Sequence, residues 1–402
     1  MSWRLESLAW AAAFVVVAIA VTTAVHKSGR ELNDTSRYAV HANAIGEEGL
    51  IPYRDFELEY PPGAVPAFLV PAIPPGGWNY YWLFVCQMAL IGAIGVVTTA
   101  RSLDALGRTR RQRRVALGLL AVSPVAFGSV LLTRFDLLPA TLAALALYFV
   151  LTERLRLGAF ALGLAGAVKL YPLAALPILA TWAWRRRGPR QATTISAITL
   201  VTTMLVYLPF AVLAPRGVWE SLWGQISRPL QIESLGAGIL VVLHHVAGIG
   251  VTVETSSGSE NLVGGAAPIA AGVLSVLGIA ALGWIWIESA RRPADRERLV
   301  RLTAAAIVSL VALGKLVSPQ FLVWLLFPLA LVGGRRGGPA AACFAVAAVA
   351  TAIWVPWRYF DLPQELDPTV ASLVVIRGFA LVAVLVILAW PDDTRSPPKV
   401  PE

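Results

Sequence analysis

Residues 78–114 read WNYYWLFVCQMALIGAIGVVTTARSLDALGRTRRQRR. No charge occurs between Trp78 and Ala100, and six arginines then fall between Arg101 and Arg114. About 20 apolar residues in a row are what a helix needs to cross the hydrocarbon core of a bilayer. A cluster of arginine at the end of such a run marks the cytoplasmic side, where lysine and arginine are retained. Taken alone, the same arginines could be read as a nucleic-acid patch. Their distribution along the rest of the chain decides between the two. The expected inner segments are the N-terminus, 100–114, 153–157, 185–190, 289–301, 334–338 and the C-terminus, and they hold 22 of the 33 lysines and arginines. The formal charge of +9 is therefore the mark of a positive-inside topology.

Working outward, the chain is 57% apolar and only 14% charged over 402 residues. A soluble domain carries roughly 25% charged residues. Apolar runs lie at about 8–25, 78–99, 115–132, 136–152, 192–213, 266–288, 302–316, 320–333, 339–356 and 369–390. Three further regions, 61–75, 158–184 and 237–250, read as short, broken or re-entrant segments. In the second, Lys169-Leu170-Tyr171-Pro172 interrupts the apolar stretch. Proline removes a helix donor, and a broken helix at membrane depth is tolerated only where protein or water covers it. The expectation is an all-α polytopic membrane protein with about ten to thirteen helices in or across the bilayer. Residues 1–392 are expected to form one domain and 393–402 a cytoplasmic tail. Arg4 followed by the apolar run Leu8–Val25 is consistent with a cleaved signal peptide or a retained anchor; the weak cleavage pattern favours the anchor. Cys86 and Cys343 lie inside apolar runs and cannot build a disulfide framework or thiolate metal site. His26, His41, His244 and His245 lack zinc spacing. No metal or cofactor is expected.

The expected outer loops are 26–60, 214–236, 251–265 and 357–368. Acidic and aromatic residues gather in them: Asp34, Asp55, Glu57, Glu59, Tyr60, Glu220, Trp223, Glu233, Tyr359, Asp361 and Glu365. In the first loop, Asp34 and Thr35 can cap a short helix running to about Glu48. Tyr38, Ala42 and Ile45 would form its apolar face on the membrane surface. Gly49 would end it, Tyr53–Tyr60 would be extended, and Pro61-Pro62 would open the next apolar element. On this reading Asp34 is either a plain N-cap or a functional carboxylate, and Asp55, Glu57 and Glu59 could be a solvated strand face.

Charges also stand at the outer edges of apolar runs: Arg134-Phe135-Asp136, Lys169, Lys315, and Arg228 with Glu233 before the pair His244-His245. Charge inside a bilayer costs a few kcal/mol, so such residues pair with one another or serve a function. The alternative for each one singly is snorkelling to the interface.

The order D-x-x-x-Y, G-x-x-P-Y-x-D-F-x-x-E-Y-P-P, R-F-D-x-x-P, K-x-Y-P and K-x-x-S-P-Q-F-x-x-W resembles glycosyltransferase family 87, a group of GT-C architecture that includes the domain of unknown function 2029. The residues that carry it are Asp34, Tyr38; Gly49, Pro52, Tyr53, Asp55, Phe56, Glu59, Tyr60, Pro61, Pro62; Arg134, Phe135, Asp136, Pro139; Lys169, Tyr171, Pro172; and Lys315, Ser318, Pro319, Gln320, Phe321, Trp324. The resemblance spans residues 8 to about 330. It implies a membrane transferase moving a sugar, typically mannose, from a polyprenyl-phosphate carrier to an extracytoplasmic glycan or glycolipid, as in actinobacterial envelope assembly. Arabinofuranose or glucose stays open as the sugar. The resemblance also implies a first-loop acid as general base, and Asp34 is the match. This chain departs from the family's usual first-loop pattern in reading Asp34-Thr35-Ser36-Arg37-Tyr38.

The residue types suit such a reaction. A glycosidase needs two carboxylates because its alkoxide leaving group must be protonated. A polyprenyl phosphate leaves as a stable anion, so one base within reach of the acceptor hydroxyl is enough. Fixed cations must meet the charge growing on the phosphate. Arg134, Lys169, Arg228 and Lys315 are the expected set. Tyr38, Asp55, Glu59, Tyr60, Asp136, Tyr171, Glu233, His244 and Gln320 are expected to bind sugar or acceptor. A transporter or flippase of a lipid-linked sugar would also carry intramembrane charge, but many transporters show internal repeats, and none is visible in this sequence. A scaffolding membrane protein would not require the charges to converge.

Overall fold

The computed structural model describes residues 3–74, 79–256, 258–291 and 295–391, so the proposed tail at 393–402 lies outside the described residues. Among the described residues the chain is all-α apart from one small sheet. Among the described residues, six helices are long and apolar enough to cross a membrane: Leu5–Lys27, Tyr80–Ala105, Pro189–Leu213, Ala267–Arg291, Gly334–Trp354 and Pro368–Ala389. Shorter apolar helices, including Leu137–Leu151, Leu155–Val168 and Leu235–Ala247, join them. Helix Ala267–Arg291 carries no charge before Glu288, yet only 11% of its most apolar window is buried, and Met204 and Ile279 are 69% and 74% exposed. Helices that are apolar all round and unburied are at home in hydrocarbon, not water. Helix Arg296–Ala312, by contrast, is buried along nearly its whole length and forms the centre of the bundle.

The breaks are informative. The run 115–132 is not one helix but three pieces, Arg110–Val122, Pro124–Phe127 and Val130–Thr133. Pro124 has no N–H for the preceding turn, and Gly128 takes φ +60°, a region that favours glycine. Helix Leu155–Val168 stops at Lys169, which is extended, before a 3-10 turn over Tyr171–Ala175 and the helix Leu176–Arg187. The anticipated break at the Lys169–Pro172 motif is therefore present.

The sheet was not anticipated. Strands β1 (Leu230–Gln231), β2 (Thr252–Ser256) and β3 (Ser259–Val263) pair antiparallel in the order β1-β3-β2. Thr252, Val253 and Thr255 favour extended backbone, and Gly258 at φ +70° lets the chain reverse. Along the sequence this was an outer loop, because its polar residues mask the alternation.

The molecule has two chemically distinct ends. At one, arginines of the expected inner segments bind their neighbours: Arg113 contacts Glu6 and Asp104 at 3.1 and 3.0 Å, Arg108 contacts Glu297 at 2.6 Å, and Arg298 contacts Glu288 at 2.8 Å. At the other lie the first loop, the sheet and the turn around Ser318. The first loop is held there by close packing: a Cβ on Gly217 would lie 2.0 Å from the Tyr53 carbonyl oxygen, so only glycine lets the helix Pro215–Ser227 approach it.

Candidate active site

The first loop forms a helix over Thr35–Gly46, buried on Tyr38 and Ala42 and half-buried at Ile45, as the amphipathic spacing indicates. Asp34 stands at its N-cap position, yet its side chain makes no capping hydrogen bond. Asn33 Oδ1 accepts from the Thr35 backbone N–H instead, at 3.3 Å. Asp34 thus caps the helix through its backbone carbonyl, which accepts from the Tyr38 N–H at 3.0 Å, and leaves its carboxylate for other partners. Its carboxylate is in direct contact with the Arg134 guanidinium, and the Tyr38 hydroxyl donates to it at a long 3.4 Å.

Arg134 is in extended backbone where Val130–Thr133 ends and Leu137–Leu151 has not begun. Two residues on, Asp136 accepts at one oxygen from both Lys169 Nζ and Trp324 Nε1, each at 2.6 Å. Lys169 Nζ also faces the rings of Phe135, Trp324 and Phe321, 4.8 to 5.2 Å from their centroids. Tyr171 stacks on Trp324 at 4.0 Å, and its buried hydroxyl has no hydrogen-bond partner. The break in the helix at Lys169 thus puts an ammonium among aromatic faces, an arrangement that favours a desolvated cation.

An aromatic knot of Tyr38, Tyr60, Phe68 and Phe135 ties the first loop to this centre, with centroids 4.5 to 5.9 Å apart. Burial, then the neighbouring Tyr60 and Asp136, pushes the Tyr38 phenol well above its ordinary range. Burial, then Glu59, does the same for Tyr60. Both stay neutral donors at working pH. Next to Tyr60, Glu59 receives Arg37 at 2.5 Å and Arg228 at 3.3 Å. Lys315 Nζ donates to the carbonyls of Ile226 and Arg228, each at 2.7 Å, while its own carbonyl accepts from the Gln231 N–H at 3.0 Å. Gln231 also donates to Ser318 at 2.8 Å. Glu233, almost fully buried, has its carboxyl raised by that burial, among Tyr359, Arg377, Ser318 and Arg134.

Thus Asp34, Tyr38, Glu59, Tyr60, Arg134, Asp136, Lys169, Tyr171, Arg228, Glu233 and Lys315 lie in one connected network at one end of the molecule. Gln320 borders it on the 3-10 turn Pro319–Leu322. Two anticipated residues lie apart. Asp55 pairs with Arg54 at 2.8 Å and accepts the Ile51 N–H; these partners hold its carboxyl below the usual range, and it stabilises a local turn. His244 bonds the Ile249 carbonyl at 2.7 Å at the end of Leu235–Ala247. Arg377 was missed. It is buried in Pro368–Ala389, donates to the Glu233 carbonyl and faces Trp354 at 5.8 Å. A lone arginine inside an apolar run was the available signal. The described residues contain no cluster of His, Cys, Asp and Glu that could hold a metal.

The sequence profile of glycosyltransferase family 87 matches residues 58–319, more than half of the chain. The chain belongs to glycosyltransferase family 87. No curated protein matches it. This family 87 enzyme is therefore a glycosyltransferase built on a membrane-type helical bundle, and it requires a sugar donor, an acceptor and a bilayer. The matched region contains Arg134, Asp136, Lys169, Tyr171, Arg228, Glu233 and Lys315 but begins after Asp34. The ion pair with Arg134 is what ties Asp34 to it.

Proposed function

We propose that the chain transfers mannose from a polyprenyl-phosphate carrier to a lipid- or glycan-linked acceptor at the extracytoplasmic face of a bacterial cell membrane of the actinobacterial type. Asp34 takes the proton of the acceptor hydroxyl, the hydroxyl oxygen bonds to the sugar C1, and the C1–O bond to phosphate breaks on the opposite side. The anomeric carbon inverts, and polyprenyl phosphate departs with the bonding electrons. The observation that carries this reading is one partly exposed carboxylate, Asp34, touching Arg134 within a network that also contains Lys169, Arg228 and Lys315. A base beside several cations suits attack on a sugar phosphate, where the leaving group needs charge stabilisation and no proton. The positive-inside distribution supports the outer face for this end.

A lipid-linked donor is supported by a groove of about 940 Å³ between Arg110–Val122, the break that follows it, and Gly334–Trp354. Its lining is mostly apolar, with Arg108, Arg111 and Gln112 at the inner end and small residues Gly337, Gly338, Ala341, Ala345 and Ala348 along one wall. An apolar groove of that character fits a prenyl chain. The test is transfer of label to envelope extract from radiolabelled polyprenyl-phosphate-mannose, compared with the polyprenyl-phosphate derivatives of arabinofuranose and glucose and with nucleotide sugars. Transfer from the lipid-linked mannose donor supports the proposal; transfer from a nucleotide sugar alone would overturn it.

A further inference from the structure

Asp34 and Arg134 occupy each other, although the reaction needs each for something else. A carboxylate whose oxygen is held by a guanidinium cannot also accept a proton from an acceptor hydroxyl. A guanidinium spent on a carboxylate cannot meet a phosphate. We infer that Arg134 is an exchangeable latch on the base: the donor's phosphate draws Arg134 away, and only then does Asp34 become competent. The inference rests on the proposed polyprenyl-phosphate donor.

The neighbouring charges single out this pair. Asp136 is held by two donors on one oxygen, so Lys169 is pinned. Glu59 keeps Arg37 if Arg228 moves away. Lys315 is held by two carbonyls and has no carboxylate partner among the described residues, so it can receive an anion without breaking an ion pair. Asp34 has Arg134 as its one ion-pair partner among the described residues, and losing it leaves only the long contact from Tyr38. Arg134 has capacity to spare: its Nε is buried and without a hydrogen-bond partner. It stands in extended backbone between two helices, so its side chain can turn without melting either. Both side chains are about one-fifth exposed, at 18% and 20%, which places the pair at the wall of the site. A phosphodiester offers two oxygens to the guanidinium fork where the present contact uses one carboxylate oxygen, and bidentate Arg–phosphate pairs are among the stronger charge-assisted bonds. The exchange trades one ion pair for another; the phosphodiester brings one negative charge, so Asp34 loses its counter-charge and its affinity for a proton rises.

The test reads the reactivity of Asp34 directly. The full chain in lipid nanodiscs is treated at pH 6 with a water-soluble carbodiimide and glycine ethyl ester, and labelling of Asp34 is quantified by peptide mass spectrometry. Decaprenyl phosphate is the probe, with decaprenol as the uncharged control and binding of each measured separately. The latch predicts low labelling without lipid or with decaprenol. It predicts a rise of about tenfold or more with decaprenyl phosphate, because an opposite charge at contact distance favours the ionised, unreactive carboxylate by at least that factor. Arg134→Gln should label strongly without lipid, while Arg134→Lys, which keeps a cation there, should stay low. Bound decaprenyl phosphate with unchanged or reduced labelling overturns the latch and leaves the donor reading standing. Failure of decaprenyl phosphate to bind overturns both. Low labelling of a folded Arg134→Gln protein also overturns the latch.

Discussion

Lys315 is the residue whose surroundings say most about its task. Two backbone carbonyls fix its ammonium beside Arg228 and Gln231, and no acidic side chain neutralises it among the described residues. In the proposed reaction, replacing it by Gln removes a charged hydrogen-bond donor to the leaving phosphate, worth about 1.5–3 kcal/mol. The expected result is a rise in KM for the lipid-linked donor of about ten- to a hundredfold with folding retained, read by initial rates and by thermal unfolding in detergent. At this scale the sequence was informative about which residues and silent about which pairs. Arg134, Lys169 and Lys315 stand out because charge beside an apolar run is costly. Their partners are distant in the chain and come from the fold. Asp34 reaches Arg134, and Asp136 reaches Trp324, through contacts that no local spacing encodes. Asp55 shows the converse: its motif resembles the family's but precedes the matched residues, and its bonds are local, to Arg54 and Ile51.

The first loop carries His41, through which its stability is expected to depend on pH. This imidazole stacks on Phe56 at 5.5 Å, and burial, then Arg37, lowers its pKa, with Glu59 opposing. An unfolded histidine takes up a proton near pH 6.5, whereas folded His41 resists until lower pH. The opened loop therefore binds more protons in that window, and loop stability falls as pH drops below about 6.5. Limited proteolysis within 26–60 should accelerate between pH 7 and pH 5.5, and His41→Gln should flatten that slope. A second element-scale expectation concerns the groove beside Gly334–Trp354. Ala345 is exposed on its wall, and Ala345→Trp should raise KM several-fold for a long-chain polyprenyl-phosphate donor, much less for a short-chain one. Equal effects on both would remove the groove from the donor path. The long helices were readable from their apolar runs, and the break at Lys169-Leu170-Tyr171-Pro172 from its proline. The break at Pro124 and Gly128 and the sheet at 252–263 were not, because a proline within an apolar run and a polar hairpin both mimic other elements.

At the scale of the whole molecule, 22 of the 33 basic residues belong to expected inner segments, and the arginines described in them bind one another's acidic and carbonyl neighbours at one end of the bundle. The network around Asp34 is at the other end. A cysteine replacing Ser256, on β2, should react with a membrane-impermeant thiol reagent in intact cells, and one replacing Thr109 should not; the reverse pattern would place the site in the cytoplasm. The most direct measurement of the central claim is the turnover of Asp34→Asn with polyprenyl-phosphate-mannose and an envelope acceptor. Because the Asp34 side chain caps nothing, the substitution leaves the first-loop helix intact while removing the proposed base and its ion pair with Arg134. Turnover should fall on the order of a hundredfold or more with donor binding retained, while Asp55→Asn stays near the unsubstituted rate. An Asp34→Asn protein that turns over within a few-fold of the unsubstituted chain would contradict the account.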